Sequence, residues 1–219
     1  MKKQILVIMA VLLITATAAF GQATGAANTN TTTATLLVNA TIVDAVLLTL
    51  KTGTLAGINH CAITNNGNPN YAMNFGTVDG LGVSAGNCNL FAPTTPGSTP
   101  AVYYTDYQLT PAWAGLTATA AASVTAFAAA PEAGANIQVP STSTDQATTA
   151  GLTVATWTTI GTTAAAATPV MSGTALSAAG ADGTAATRFL ALSVSPTATA
   201  AAGGGTAVNT TVTFTMTIK

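Results

Sequence analysis

Residues 209–219 read NTTVTFTMTIK, and their alternation decides the fold class. Val212, Phe214, Met216 and Ile218 fall on one side; Thr211, Thr213, Thr215 and Thr217 fall on the other. A period of two is the pattern of a β-strand with one buried face. The same period recurs upstream. In residues 34–50, ATLLVNATIVDAVLLTL, Leu36, Val38, Ala40 and Ile42 alternate, and a second apolar stretch follows from Val46 to Leu50. The segment reads as two consecutive strands or one long bent strand.

Between these ends the chain gives short strand signals separated by turn signals. A short strand is expected near Cys61, in GTLAGINHCAI (53–63), and another in YAMNFGTV (71–78). NNGNPN (65–70) between them is a turn by composition. AVYYTDYQL (101–109) is β-rich and aromatic, and Pro111 is expected to end it. TATAAASVTAFAAA (117–130) is ambiguous, because Ala favours helix while Thr, Val and Phe favour strand; the all-β context tips it to strand. GLTVATWTTI (151–160) alternates, with Leu152, Val154 and Thr156 on one face and Ala155 and Trp157 on the other. AATRFLALSV (185–194) is a further strand, and 195–208 is a long loop. No 3.6-residue period is sustained, so an antiparallel all-β sandwich or barrel is expected. No internal repeat of fixed length appears, which argues against a solenoid.

The first 23 residues read as a Sec signal peptide: Lys2 and Lys3, an unbroken apolar run from Ile5 to Ile14, then small residues. The run is too short for a membrane span. Cleavage after Ala23 fits the small-x-small rule, with Ala19 as the alternative. No later stretch is long and apolar enough to span a bilayer, so the mature chain is expected outside the cytoplasm, without a membrane span. The organisation expected is signal peptide 1–23, N-terminal extension 24–45 and sandwich 46–219.

Only 5% of the 219 residues are charged, against the usual roughly 25%. After cleavage the cations are Lys51, Arg188 and Lys219, set against Asp44, Asp79, Asp106, Glu132, Asp145 and Asp182. There is no basic patch to neutralise phosphates, which excludes nucleic acid as a partner. A surface of Thr, Ser, Asn and Ala repels its neighbours weakly and suits packing against copies of itself. Cys61 and Cys88 are the two cysteines. In an exported chain they are expected to pair, closing a loop of about 28 residues and contributing about 3–4 kcal/mol in the chain-entropy model; two free thiols are the other reading.

Few residues offer chemistry. Gly82-Val83-Ser84-Ala85-Gly86 matches the G-x-S-x-G nucleophile elbow, but the following NCNLFAPTTPG cannot form the helix the elbow needs. The only histidine, His60, precedes the serine. The order His60, Asp79, Ser84 matches the chymotrypsin order, yet all three lie within a short glycine-rich stretch that reads better as a turn. Gly80 and Gly82 do not open a dinucleotide loop, since no helix follows. His60 beside Cys61 lacks the three or four ligands of a zinc site, and the aspartates form no calcium loop. No enzyme activity, metal or cofactor is therefore expected. Tyr103, Tyr104, Tyr107 and Trp113 form the one aromatic cluster, at least two of them expected in the core.

Two alternating end segments raise the matter of pairing, because an unpaired edge strand templates association with another chain. The order of features is an alternating N-terminal strand, Cys61, the strand holding Asn74-Phe75-Gly76, Cys88, an aromatic strand, and a glycine-containing loop into TVTFTMTI. This order resembles the spore coat protein U-like families of secreted β-sandwiches, which include archaic chaperone–usher pilins. The resemblance implies an immunoglobulin-like domain that lacks its last strand and is completed by donor-strand exchange. It implies a donor strand within about 28–43, with Leu36, Val38, Ala40 and Ile42 as plugs. It also implies an acceptor groove walled by the 207–218 strand, with Val212, Phe214, Met216 and Ile218 inward, and a disulfide between Cys61 and Cys88. The function implied is a subunit of an extracellular fibre. Its partners would be other copies of itself, with a periplasmic chaperone and an outer-membrane usher for assembly. The alternative is a monomeric secreted module that binds ice or glycan through Thr-rich faces.

Overall fold

The computed structural model describes residues 45–65, 70–114, 121–129, 134–141, 148–175, 185–198 and 209–218. All lie in one compact unit, Asp44–Lys219. The chain is all-β and built from antiparallel sheets, as the alternating patterns require. Its strands are β1 (Ala45–Thr52), β2 (Ile63–Asn65), β3 (Tyr71–Met73), β4 (Asn89–Phe91), β5 (Ala101–Ala114), β6 (Ala121–Ala128), β7 (Ala135–Pro140), β8 (Trp157–Thr159), β9 (Thr168–Ala175), β10 (Ala186–Val194) and β11 (Val212–Ile218). The Ala/Thr segment read as strand against its helix propensity is β6: alternate burial of Ala122, Val124, Ala126 and Ala128 outweighs local preference.

The large sheet runs β1-β5-β10-β7-β8, with β4 beside β1 on the same edge of β5. The small sheet runs β11-β6-β9, and β2 and β3 form a separate hairpin. β5 is the spine. Its odd residues Ala101, Tyr103, Tyr107, Leu109 and Trp113 face the small sheet and are buried with Val124, Ile137, Leu190, Leu192 and Met171. Its even residues face the other way, where Val102 packs with Phe189, Ala191, Leu152 and Trp157. Both faces of β5 and β10 are thus covered.

Three expectations are corrected. Pro111 does not end its strand: β5 continues to Ala114, pairing Pro111 with Leu48 of β1. β10 stops pairing with β5 at Leu109, so beyond that point a residue without an N–H removes no ladder bond on that edge. Residues 151–160 are not one alternating strand, and Leu152 and Trp157 share one cluster instead of opposite faces. A turn lies between them, with the Thr156 N–H donating to the Thr153 carbonyl (3.0 Å) and the Thr156 hydroxyl accepting from the Thr153 N–H (2.8 Å). In 71–78 the strand ends at Met73, where the Asn74 side chain turns back to accept from the Gly76 N–H (2.8 Å).

Two contacts fix how the sheets lie on each other. Arg188 of β10, buried between the sheets, donates through Nε to the Val170 carbonyl of β9 (2.8 Å). Gly161, just past β8, pairs in parallel with Phe127 of β6. β9 therefore lies towards β10 and β8, and β11, across β6 from it, lies towards β1. The Phe214 ring meets the Tyr107 ring edge-on at 5.9 Å, which seats β11 over β5. Successive antiparallel pairings make β8 run opposite to β5, so β6 also runs opposite to β5 and β11 runs with it. Val212 thus lies towards the Tyr103 end of the sandwich and Ile218 towards the Trp113 end.

Candidate functional site

The feature that stands out is a lane beside β11. β11 pairs with β6 along its whole length, from Val212 opposite Ala128 to Ile218 opposite Ala122. Among the described residues its other edge has no partner. Val212, Phe214, Met216 and Ile218 pack on the core but are only half-buried, while their β6 neighbours Ala122, Val124, Ala126 and Ala128 are buried. Below the lane lies β1. Leu48 and Leu50 sit opposite Pro111 and Leu109 and share their inward face, yet they too are half-buried. Among the described residues the small sheet has no strand over β1. One side of the core is thus walled by two apolar rows without a charged residue. A strand added to β11 would cover both rows, and completing the burial of such an aliphatic side chain stabilises by roughly 1 kcal/mol.

The residues expected to fill such a lane, Leu36, Val38, Ala40 and Ile42, lie outside the described residues, as do residues 1–23, expected to be a signal peptide, and Lys219. The opposite face of the small sheet is hydroxyl-rich. Thr213, Thr215 and Thr217 stand opposite Phe127, Thr125 and Ser123.

Cys61 and Cys88 are joined in a disulfide, Cα atoms 5.1 Å apart, and both are buried. The bond ties the segment after β1 to the start of β4. Beside it lies a polar cluster that sequence reasoning missed. Asp106, on the outward face of β5, is fully buried, and its Oδ1 lies 2.5 Å from Nδ1 of the partly exposed His60. Its Oδ2 accepts from the Leu55 N–H (2.9 Å). The Thr105 hydroxyl accepts from the Cys61 N–H (3.0 Å) and donates to the Asp106 carbonyl (3.0 Å). Gly53 sits against the carboxyl so closely that a Cβ would overlap it. His60 and Asp106 are 46 residues apart, and no spacing rule links them; only the close approach of glycine to a strand hints at a packed partner.

The sequence order His60, Asp79, Ser84 does not become a triad, because His60 turns to Asp106 and Asp79 builds a loop. Asp79 Oδ1 accepts from the N–H groups of Leu81 (2.8 Å) and Val83 (3.1 Å), and Oδ2 accepts from that of Ser84. Burial works to raise the Asp79 pKa, but the hydrogen bonds from Ser84, Val83 and Leu81 outweigh it and hold it at about 2. Of the aromatic cluster, Tyr103, Tyr107 and Trp113 are core; Tyr104 stacks on Phe91 at 4.4 Å and tilts against Trp157. Burial raises the Tyr103, Tyr104 and Tyr107 hydroxyl pKa values. No group of three or more metal-ligating side chains occurs among the described residues, and no helix of the described residues is long and apolar enough to cross a membrane.

Comparison with protein-family models, curated proteins and solved structures finds no match to the chain.

Proposed function

We propose that this protein is the structural subunit of an extracellular filament, assembled from copies of itself by strand donation into the lane beside β11. The observation that carries the reading is the pairing of a β11 edge that has no partner among the described residues with two half-buried apolar rows, one on β11 and one on β1. An alternating strand fits that lane chemically: its backbone satisfies the β11 edge and every second side chain enters the core. Leu36, Val38, Ala40 and Ile42 of another copy provide such a row. The domain on this reading is an immunoglobulin-like sandwich short of one strand. The charged-residue-poor surface and the signal-like first 23 residues support export and self-packing, with a periplasmic chaperone and an outer-membrane usher as the assembly partners.

The test uses mature protein lacking residues 24–43. It should stay monomeric, and a peptide of residues 34–44 should bind it and raise its melting temperature. The same peptide with Val38→Asp should not. Full-length mature protein should form filaments visible by electron microscopy; a stable monomer under every refolding condition would sink the reading.

A second reading has one observation in its favour. The outward row of Thr213, Thr215 and Thr217, with Thr125 and Ser123 beside it, suits a monomeric module binding ice or glycan. Thermal hysteresis or glycan-array binding by the purified monomer would favour it.

A further inference from the structure

Among the described residues four large apolar side chains stand exposed: Val46 (63%), Leu47 (43%), Leu81 (50%) and Val83 (83%). They form two pairs at opposite poles of the sandwich. Val46 and Leu47 begin β1, opposite Trp113 and Ala112 of β5. Leu81 and Val83 sit on the loop that hangs from Tyr103, ten residues of strand away, about 33 Å. The Tyr103 hydroxyl accepts from the Asp79 N–H (3.1 Å) and shares its proton with the carbonyls of Asp79 (3.0 Å) and Ser84 (2.9 Å). The Asp79 carboxylate pins Leu81, Val83 and Ser84 from inside. Gly82 adopts a φ of +69° and lies so near Pro93 that a Cβ would stand 2.8 Å from its Cδ. A loop braced at this many points cannot fold back to bury Val83; it displays it.

The direction of β11 brings the two poles together. Every pair in the small sheet is antiparallel, so a strand donated to β11 in the same manner runs from the Ile218 end to the Val212 end. Its last residue, Ile42, then emerges at the Tyr103 pole, beside the Leu81–Val83 loop. From Ile42 to Ala45 is three residues, at most about 10 Å. The donating copy's β1 must therefore start at that pole.

We propose that the Leu81–Val83 loop of the accepting copy packs against the start of the donating copy's β1, on the outward face where Leu47 stands exposed, forming the joint between successive subunits. This rests on the strand-donation reading above. The occupant is a second copy because the patch is too small to act alone: a stable interface takes roughly 20–30 residues a side, and two aliphatic side chains matter only between molecules already tethered. Opposite poles meeting head to tail make a heterologous contact, which grows as an open chain where the rotation between copies does not close a ring.

The test co-polymerises two full-length mature variants, Leu47→Cys and Val83→Cys, and oxidises the filaments mildly. A cross-linked dimer should appear on a non-reducing gel of the mixed filaments, with mass spectrometry placing the bond between positions 47 and 83. It should be absent from filaments of either variant alone, each lacking one half of the pair. In parallel, Val83→Asp should still form filaments, since the side chain is exposed and away from the lane, but with a shorter bending persistence length. Mixed filaments without the cross-link, or a cross-link in single-variant filaments, would overturn the joint and leave strand donation standing. Absence of filaments from wild-type protein too would defeat both.

Discussion

Two polar residues, the buried Arg188 and the half-buried Asp79, hold parts of this fold, and each makes a measurable demand. Arg188 lies between the sheets with Nε on the Val170 carbonyl and an NH1 contact to the Thr187 carbonyl (2.6 Å). Replacing it with Ala leaves a buried carbonyl without its charged donor. The expected loss is about 2–4 kcal/mol, measured by urea unfolding; a loss below about 0.5 kcal/mol would mean that the inter-sheet bond carries little. Asp79 makes a pH prediction. Its pKa is held at about 2, below the ordinary 3.8, so its contribution is present above 3.8 and is lost as pH falls through about 2. The amide resonances of Leu81, Val83 and Ser84 should titrate together in that window, and Asp79→Asn should abolish the titration. Neither role is legible in the sequence. Arg188 reads as one of a few scattered charges and Asp79 as a turn residue, because the groups they satisfy are backbone atoms brought near only by folding.

The elements divide by how local their cause is. β11 was legible because alternating burial writes itself into every second residue, whereas β10 is buried on both faces and β6 was ambiguous on its own and read as strand only from its all-β context. The strand through Pro111 was not legible, since a proline is tolerated only where a neighbouring strand has already ended, and that is a fact about β10. Residues 151–160 alternate on paper yet form a turn, because short hydroxyl side chains bond to nearby backbone as readily as they line a strand. The Cys61–Cys88 pairing was legible from the count of two cysteines and the export expected from residues 1–23. Removing it with Cys61→Ser and Cys88→Ser together should cost about 3–4 kcal/mol of stability in the chain-entropy model. Because both sulfurs are buried, the native bond should resist dithiothreitol until the protein is unfolded, as thiol titration with and without denaturant would reveal. Phe214 is the test of β11 itself. Phe214→Ala removes the edge contact to Tyr107 and should destabilise by about 2–3 kcal/mol, while Thr215→Ala, on the outward face of the same strand, should change stability by less than about 0.5 kcal/mol.

At the scale of the whole molecule, the strand-donation proposal gives a chain with few charges hydrophobic and backbone pairing as its means of association. Filament growth should therefore change by less than about twofold between about 0.05 and 0.5 M salt, as followed by light scattering, since there is little charge to screen. A steep salt dependence would point to an ionic interface instead. The sequence by itself determined the fold class, the disulfide and the inward row of the last strand, because period-two alternation and paired cysteines are local and need no partner to be read. Only the tertiary structure decided that β11 lies over β5 with no described strand over β1, that Asp106 reaches His60, and that the exposed apolar pairs stand at opposite poles. Those facts depend on which strands neighbour one another and in which direction they run, and side-chain alternation is the same for every order in which strands can be laid side by side.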